Sequence, residues 1–347
     1  MDYVDSKVPA PETAQASKKK VDHDYSLEAV PTTAKKGFLS MFVIMVGFTF
    51  FSASMSTGGQ LGLGLTLGGF VAAMICGNAI LGVYTGLLGY IGSKTGLTMD
   101  LLAHRSFGSK GSYIVSALIS FTQMGWFGVG IAMFALPVSK LLGIPSWILI
   151  VLAGVLMTST AYFGIKSMEL LSAVAVPLIG ILGIWSTVTA VNGVGGLANV
   201  FPTSPANPLT FSAALTLVVG SFVSGGTTTP NYTRFAKNKT IAVVSTVVAF
   251  FIGNSLMFIF GAVGSAVTGV PDIFDIMIAQ GIVLPAILIL GLNIWTTADN
   301  GLYSCGLGLS NITKIRKRPM VLVSGAVGTV PSVWHFNNFC GWLTFLG

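Results

Sequence analysis

Charged side chains are scarce in this sequence of 347 residues, at 8% against roughly a quarter in a soluble domain. Hydrophobic residues make up 53%, and glycine alone fills 43 positions. This composition excludes an ordinary soluble domain and indicates a chain that lies mostly in lipid. The net charge of +7 is spread over short loops between apolar runs rather than gathered on one face, so we expect no nucleic-acid partner.

Cysteine and histidine are also rare, with three of each. The cysteines at 76, 305 and 340 lie in apolar runs and lack metal-ligand spacing. The histidines at 23, 104 and 335 fall in a tail and two loops. Because neither set offers an acid/base or metal constellation, we expect no enzyme, no catalytic residue and no organic cofactor.

Apolar runs of about 20 residues, long enough to cross a bilayer as helices, begin at residue 38. Residues 1–36 are polar and aperiodic and predict a disordered cytoplasmic tail, whereas 37–347 predict one membrane domain. We predict nine complete spans and a truncated tenth, over 38–57, 67–92, 112–142, 145–163, 167–191, 209–231, 241–268, 276–305, 320–334 and 338–347.

The loops between these spans predict the orientation of the chain. With the N-terminus in the cytoplasm, thirteen lysine and arginine side chains fall in inside loops and only Lys140 falls outside. Basic residues accumulate on the cytoplasmic side of membrane proteins. The sequence therefore predicts an all-α polytopic protein of the cell membrane, with a cytoplasmic N-terminus and lipid as its surroundings.

Two pairs of segments, each five spans apart, are similar in sequence. GNAIL (77–81) of the second span matches GNSLM (253–257) of the seventh, and FSAS (51–54) matches VSGG (223–226) at nearly the same offset. An odd number of spans between partners reverses their orientation in the membrane. The pattern predicts an inverted repeat, with a first unit of about 37–192 and a second, incomplete unit of about 209–347.

The first and sixth spans each contain a stretch that is unsuited to a straight helix. Residues 52–59 are SASMSTGG and residues 224–230 are SGGTTTP. In inverted-repeat transporters, ligands bind where paired helices are broken, because unwound backbone frees carbonyl and amide groups. We predict that both spans are broken there. Close helix packing through small residues is the alternative.

Asn293, Thr296 and Thr297 share one face of the eighth span and offer an amide oxygen and two hydroxyls. With carbonyls from a broken first span, these hard oxygen ligands suit a dehydrated monovalent cation such as Na⁺. The alternative is that the threonines bond only carbonyls of their own helix. Asp299 lies well inside the same span, where a carboxylate is costly and usually functional. We include it and Ser52 among the candidate substrate-binding residues, although a structural role near the cytoplasmic end would also explain Asp299.

Aromatic side chains supply another part of a site. Trp126 lies near mid-depth in the third span with Gln123 one turn before it, and Phe222 precedes the break of the sixth span. A flat heteroaromatic ligand between Trp126 and Phe222, with its edge read by Gln123, Ser224 and freed backbone, is chemically consistent. Core packing is the alternative for Phe222.

At these residues the sequence resembles the nucleobase–cation symporter (purine–cytosine permease) family, most closely its bacterial cytosine permeases. The similar segments run from about residue 35 to the chain end. They are GFTFFSASMSTGG (47–59), GNAILGVYTGLLGYIGSKTGLT (77–98), TQMGWFGVGIAMFALPV (122–138), VVGSFVSGGT (218–227), FFIGNSLMFIFGA (250–262), MIAQG (277–281), LGLNIWTTADN (290–300) and NNFCGWLTFL (337–346).

The resemblance implies a twelve-span protein of the leucine-transporter type, with a five-plus-five inverted repeat and alternating access. It implies that the base is held by two aromatic residues and read by two polar ones, and that Na⁺ is bound by three polar side chains and two backbone carbonyls. The residues are Trp126 and Phe222, Gln123 and Ser224, Asn293, Thr296 and Thr297, and the carbonyls of Gly47 and Phe50.

We therefore expect secondary active import of cytosine coupled to Na⁺. A proton-coupled permease, or a purine or hydantoin permease of the same fold, is the alternative. Because the chain ends inside the apolar segment CGWLTFLG (340–347), we also expect spans eleven and twelve to be absent, and a fragment that does not transport is a third hypothesis. A passive channel is disfavoured because the polar residues cluster at one depth.

Overall fold

The computed structural model describes residues 24–334, and in this part of the chain the regular structure is helical, with one isolated β-bridge and no strand. The α-helices are α1 (Phe38–Thr49), α2 (Ser52–Gly64), α3 (Leu67–Thr95), α4 (Met99–Leu142), α5 (Ser146–Phe163), α6 (Ile165–Gly193), α7 (Phe211–Gly220), α8 (Val223–Thr227), α9 (Pro230–Thr233), α10 (Lys239–Ala249), α11 (Ser255–Thr268), α12 (Ile273–Ala279), α13 (Val283–Thr313) and α14 (Lys317–Trp334). A π-helical turn, Phe250–Asn254, joins α10 to α11.

Six helical segments are each long and apolar enough to cross a membrane, namely α3, α4, α5, α6, α10 with α11, and α13. Two bent pairs, α1 with α2 and α7 with α8 and α9, bring the number to at most eight within the described residues. The predicted ninth span, α14, falls short because Lys317 and Arg318 lower its hydropathy. The predicted tenth, 338–347, lies outside the described residues. The cytoplasmic N-terminus stays a prediction.

The turn between α3 and α4 illustrates how the helix ends are encoded. α3 ends at Thr95 and is followed by Gly96, whose φ of +70° lies in the left-handed region that favours glycine. Two residues later, the Thr98 hydroxyl accepts a hydrogen bond from the Leu101 N–H at 3.1 Å and caps α4. Gly108, with φ of +69°, kinks α4 just before the predicted span 112–142 begins.

The first and sixth spans are bent, by 58° and 49°, but the bend of the first is not where the sequence predicts it. Helical geometry is interrupted at Phe50 and Phe51, and the stretch 52–59 that we expected to unwind forms most of α2. In the sixth span, α7 ends at Gly220, so the first break precedes the predicted stretch 224–230.

Close packing explains why the serine- and glycine-rich stretch is helical. A Cβ atom added to Gly58 would overlap the backbone of Phe258 in α11, and one added to Gly62 would lie 2.8 Å from the Cβ of Ala262. α2 and α11 therefore approach each other through their smallest residues, a common contact between membrane helices. The packing alternative considered for this stretch holds for α2.

The segments that form the predicted repeat meet in the interior. Asn254 Nδ2 donates to Asn78 Oδ1 at 2.9 Å, and Asn78 Nδ2 donates to Ser255 Oγ at 2.8 Å. Both asparagines are fully buried. The two similar motifs are thus hydrogen-bonded to each other where α3 packs against the π-helical turn and α11, although Asn254 Oδ1 has no partner among the described residues.

Residues 24–36, which we call the N-terminal strap, pack against the helices rather than forming the disordered tail expected from their composition. Asp24 and Lys317 form a buried ion pair at 2.7 Å, and the Val30 N–H donates to the Gly96 carbonyl at 3.0 Å. Lys36 pairs with Glu169 of α6. Residues 1–23 lie outside the described residues, so the expectation of disorder stays a prediction for them.

Arg234, which follows α9, accounts for much of this order. Its side chain is fully buried, and its Nη atoms donate to the backbone carbonyls of Asp24 and Tyr25 at 2.6 and 2.8 Å and to the Tyr303 hydroxyl at 2.9 Å. Burial, together with the positive charge of Arg234, lowers the pKa of Lys35 in the strap. The strap therefore supplies oxygen acceptors to two buried cationic side chains, those of Arg234 after α9 and Lys317 at the start of α14.

Candidate substrate and cation site

The interruption between α1 and α2 leaves backbone carbonyls without helical partners. Phe50 follows the last residue of α1, and Phe51 is extended, with φ −132° and ψ 124°. The last carbonyls of a helix have no intrahelical N–H donor. Thr297 of α13 bonds two of them, with its Oγ1 atom 2.7 Å from the Phe50 oxygen and 3.3 Å from the Phe48 oxygen. The break therefore faces the polar side of α13.

Asn293 lies three residues before Thr296 on the same side of α13 and is fully buried. Its Oδ1 atom accepts a hydrogen bond from Ser52 Oγ at 2.7 Å, and its Nδ2 atom lies 3.3 Å from Met257 Sδ. Ser52, the first residue of α2, is thus held against α13 on the far side of the break. The bond joins the second half of the first span to the predicted cation ligands.

Thr296 behaves as the alternative for the threonines describes. Its Oγ1 atom donates to carbonyls of its own helix, those of Leu292 at 3.0 Å and Asn293 at 3.2 Å. A hydroxyl that donates its proton keeps lone pairs that can bind a cation. Gly47 packs beside it, because a Cβ atom added to Gly47 would lie 3.5 Å from Thr296 Cβ. The predicted cation ligands of α1 and α13 are therefore neighbours.

A small cavity, with about 30 Å³ open to the centres of water-sized spheres, lies beside the break. Its lining residues come from α1 and the break that follows it, from α4, from the break between α7 and α8 with the start of α8, and from α13. They are Phe48, Phe51, Gln123, Trp126, Phe127, Ser221, Phe222, Ser224, Gly225, Thr297, Ala298 and Gly301. No charged side chain is among these lining residues. An apolar, aromatic wall with a few polar groups suits a small neutral ring compound.

Both aromatic residues predicted to hold a base line this cavity. The ring of Trp126 meets the ring of Phe51 edge-on, with centroids 5.7 Å apart, and Phe222 meets Phe48 edge-on at 5.0 Å. Phe222 also packs edge-on against Phe250 at 5.2 Å. Edge-to-face contacts fix the planes of these rings beside the cavity.

Gln123 brings an unpaired polar group to the cavity wall. The side chain is 3% exposed, and its Nε2 atom has no hydrogen-bond partner among the described residues. A buried amide donor without an acceptor costs roughly 1–3 kcal/mol. Because Gln123 lines the cavity, an acceptor on a bound molecule would remove that cost.

Two predicted substrate-binding residues do not line the cavity. Ser52 is bonded to Asn293 instead. Asp299 is fully buried on α13 beside Thr160 of α5, and its Oδ1 atom accepts from Asn300 Nδ2 at 3.3 Å. Spacing on α13 explains the separation, because Asp299 lies two positions from Thr297 and therefore on another face of the helix.

The sequence reasoning missed several lining residues, and only some left a signal. Phe48 and Phe51 flank the break, so a correct position for the break would have found them. Gly301 follows Thr297 by four residues and shares its face of α13. Ser221 directly follows α7, and its Oγ atom donates to the Val218 carbonyl at 2.8 Å.

Comparison with known proteins agrees with this architecture. A family model described as a permease for cytosine/purines, uracil, thiamine and allantoin matches residues 29–347. The cytosine permeases of Escherichia coli K12 and of Escherichia coli O157:H7 are each 55% identical over 325 residues, which cover 94% of this chain and 78% of theirs.

Solved structures with similar folds are membrane transporters. Mhp1, a nucleobase-cation-symport-1 family transporter in a closed conformation with bromovinylhydantoin bound, has a TM-score of 0.80 at 21% identity, over 92% of this chain and 76% of that one. A Na⁺-coupled sialic acid symporter has a TM-score of 0.74 at 15% identity, over 95% and 79%. At these identities the likeness concerns the fold.

The relatives of this chain are permeases rather than enzymes, and its apolar helices fit a multi-pass protein of the cell membrane. A family match over most of the chain and a relative at 55% identity leave little room for another assignment. The chain belongs to the cytosine/purine permease family of membrane transporters, as its sequence motifs predicted.

Proposed function

We propose that this protein imports cytosine, or a closely related pyrimidine, together with Na⁺ by alternating access. The observation that carries the proposal is the position of Thr297. Its side chain lines the aromatic cavity, and its hydroxyl bonds the Phe50 carbonyl of the broken span at 2.7 Å. In this proposal one residue serves both the base site and the cation site, so that occupancy of one site would change the affinity of the other.

Cytosine matches the chemistry of the cavity. The ring is flat and neutral and would stack between Trp126 and Phe222 after the two side chains move apart to widen the cavity. Its carbonyl oxygen or ring nitrogen would accept from the unpartnered Gln123 Nε2 atom, and its amino group would donate to the Gln123 Oε1 atom. Ser224 and Ser221 offer further hydroxyls at the same wall. The curated relatives at 55% identity carry the name cytosine permease, which supports this base over purines or hydantoins.

The cation would be held by neutral oxygens. The oxygen ligands would be the carbonyls of Gly47 and Phe50 and the side chains of Asn293, Thr296 and Thr297. These residues lie around the break and on the side of α13 that faces it. The bound ion would coordinate both the Thr297 hydroxyl oxygen and the Phe50 carbonyl oxygen. The carbonyl would then no longer need its hydrogen bond from Thr297. Ordering of α1 against α13 would then shape the cavity wall, and binding of each ligand would favour the other by the same factor.

Uptake of radiolabelled cytosine into cells that lack their own cytosine uptake tests the proposal. We expect uptake that rises with an inward Na⁺ gradient, that unlabelled cytosine inhibits, and that collapses in Thr297→Ala. Thr297→Ser is the matched control, because it keeps the hydroxyl and should retain Na⁺ dependence. Equal uptake with and without Na⁺, but greater uptake at acidic external pH, would favour proton coupling instead.

Competition separates substrates within the same fold. Unlabelled purines and hydantoins should inhibit cytosine uptake less than unlabelled cytosine does. Accelerated exchange of labelled for unlabelled cytosine should be saturable, as expected of a carrier. Linear, unsaturable flux would indicate a passive pore, and stronger inhibition by a purine would move the assignment to a purine permease.

A further inference from the structure

The proposed cation site has a neighbour on a third helix. α6 packs against both α1 and α13, and Ser172 lies where the three helices meet. A methyl group added to Gly47 would collide with the Ser172 side chain and would lie 3.5 Å from Thr296 Cβ. Ser172 therefore lies against Gly47 of α1, at the point where Gly47 also faces Thr296 of α13.

The Ser172 hydroxyl is buried without a hydrogen bond in the part of the chain that the structure describes. The side chain is 1% exposed, and its Oγ atom has no hydrogen-bond partner among the described residues. Hydroxyls in membrane helices usually donate to a carbonyl one turn earlier, as Thr296 does to Leu292 at 3.0 Å. An unpaired buried hydroxyl costs roughly 1–3 kcal/mol. At this position, the cost would be removed by a ligand that is not part of the protein.

We propose that Ser172 supplies a further oxygen ligand to the Na⁺ ion, so that the cation site draws on α1, α6 and α13. The inference rests on the proposed Na⁺ coupling and extends it to a helix without a break. A neutral hydroxyl oxygen is a hard ligand and adds no charge to a buried site. Bound Na⁺ would then fasten the broken first span to two unbroken spans instead of one.

Serine also occurs in membrane helices simply because it is small and permits close approach. Contact with Gly47 fits that role as well, so the test must remove the hydroxyl and keep the volume. Ser172→Ala does this. Ser172→Cys is a second variant of similar size, in which a soft sulfur replaces the hard oxygen and should also disfavour Na⁺.

The experiment measures Na⁺ binding without a base. The purified protein in detergent is titrated with NaCl, and choline chloride keeps the ionic strength constant. The thermal unfolding midpoint is recorded at each concentration, because an ion that binds the native state raises this midpoint. We expect Ser172→Ala and Ser172→Cys to raise the Na⁺ concentration for half-maximal stabilisation about tenfold, the loss expected for one hydrogen-bond-strength contact to a charged group.

Thr187→Val is the matched control. Thr187 is another buried, unpaired hydroxyl of α6, about 22 Å further along the helix, and its loss should leave the Na⁺ response unchanged. If Ser172→Ala titrates like the wild type while Thr297→Ala does not respond to Na⁺, the Ser172 ligand is wrong and the proposed function stands. If the wild type itself shows no Na⁺ response beyond choline, the cation site and the proposed function fail together.

Discussion

The ion pair between Asp24 and Lys317 is the contact of the N-terminal strap that a single substitution tests most directly. The two side chains are 2.7 Å apart, and Lys317 is fully buried while Asp24 is 5% exposed. Asp24 Oδ1 also accepts from the Ile165 N–H at 3.2 Å, at the start of α6. In Asp24→Asn the amide can keep this cap, but the Lys317 ammonium loses its counter-charge.

Removing one partner of a buried pair is expensive because the other charge stays out of water, and measured costs are about 3–5 kcal/mol. Lys317 would keep its hydrogen bonds to the carbonyls of Ala161 at 2.8 Å and Tyr162 at 3.5 Å, and the face of Tyr303, whose centroid is 4.5 Å away. These contacts existed before the substitution and do not replace the carboxylate. We therefore expect Asp24→Asn to lower the free energy of unfolding by about that amount.

Chemical denaturation of the purified protein measures the effect, with Glu169→Gln as the control. Glu169 pairs with Lys36 of the same strap, but that pair is partly exposed, at 25% and 16%, so its loss should cost less than about 1 kcal/mol. The double variant Asp24→Asn/Lys317→Met removes both charges and should recover most of the stability lost in Asp24→Asn. Equal effects of Asp24→Asn and Glu169→Gln, or additive losses in the double variant, would refute the reasoning.

Three further predictions concern the cavity, the helix contact and pH. Gln123→Leu should weaken cytosine binding about 10- to 100-fold at saturating Na⁺ without lowering the unfolding midpoint, because it removes an unpaired amide; unchanged affinity would contradict it. Gly58→Leu should abolish folded, monodisperse protein, since its side chain would overlap the backbone of Phe258, whereas a normal elution profile would contradict the packing. Burial raises the pKa of Asp272 to about 7, so the native state keeps a proton that the unfolded chain loses from about pH 4 upward, and the free energy of unfolding should fall as pH rises toward 7. Asp272→Asn can still cap the Phe274 N–H but does not titrate, so it should lose this pH dependence. An unchanged pH dependence in Asp272→Asn would contradict the prediction.

The hydrophobicity and helical spacing of the sequence were sufficient to predict the membrane helices and several residues of the candidate site. Long apolar runs located most of the long helices within a few residues, because the bilayer sets their length and polarity. The exceptions are α4, which begins at Met99 instead of 112, and α13, which runs over Val283–Thr313 instead of 276–305. Helical spacing put Asn293 and Thr297 on the side of α13 that meets the broken span. The depth of Trp126 and its distance from Gln123 led to two residues of one cavity.

Long-range contacts decided what the local pattern could not. The stretch 52–59 is equally suited to a break and to close packing, and α11, some 200 residues away in sequence, makes it a helix. The strap has the composition of a disordered segment, yet Arg234 and Lys317 bury their charges against it. Asp299 stood out as a carboxylate in lipid, but its face of α13 is turned to α5 rather than to the cavity.

The central claim is that the base site and the cation site are coupled through Thr297. The direct test is equilibrium binding of radiolabelled cytosine to the purified protein as NaCl replaces choline chloride at constant ionic strength. We expect Na⁺ to lower the Kd for cytosine by about 5- to 150-fold, the usual range for coupled sites, and Thr297→Ala to remove most of that dependence. A Kd that is the same with and without Na⁺ in the wild type would contradict the account.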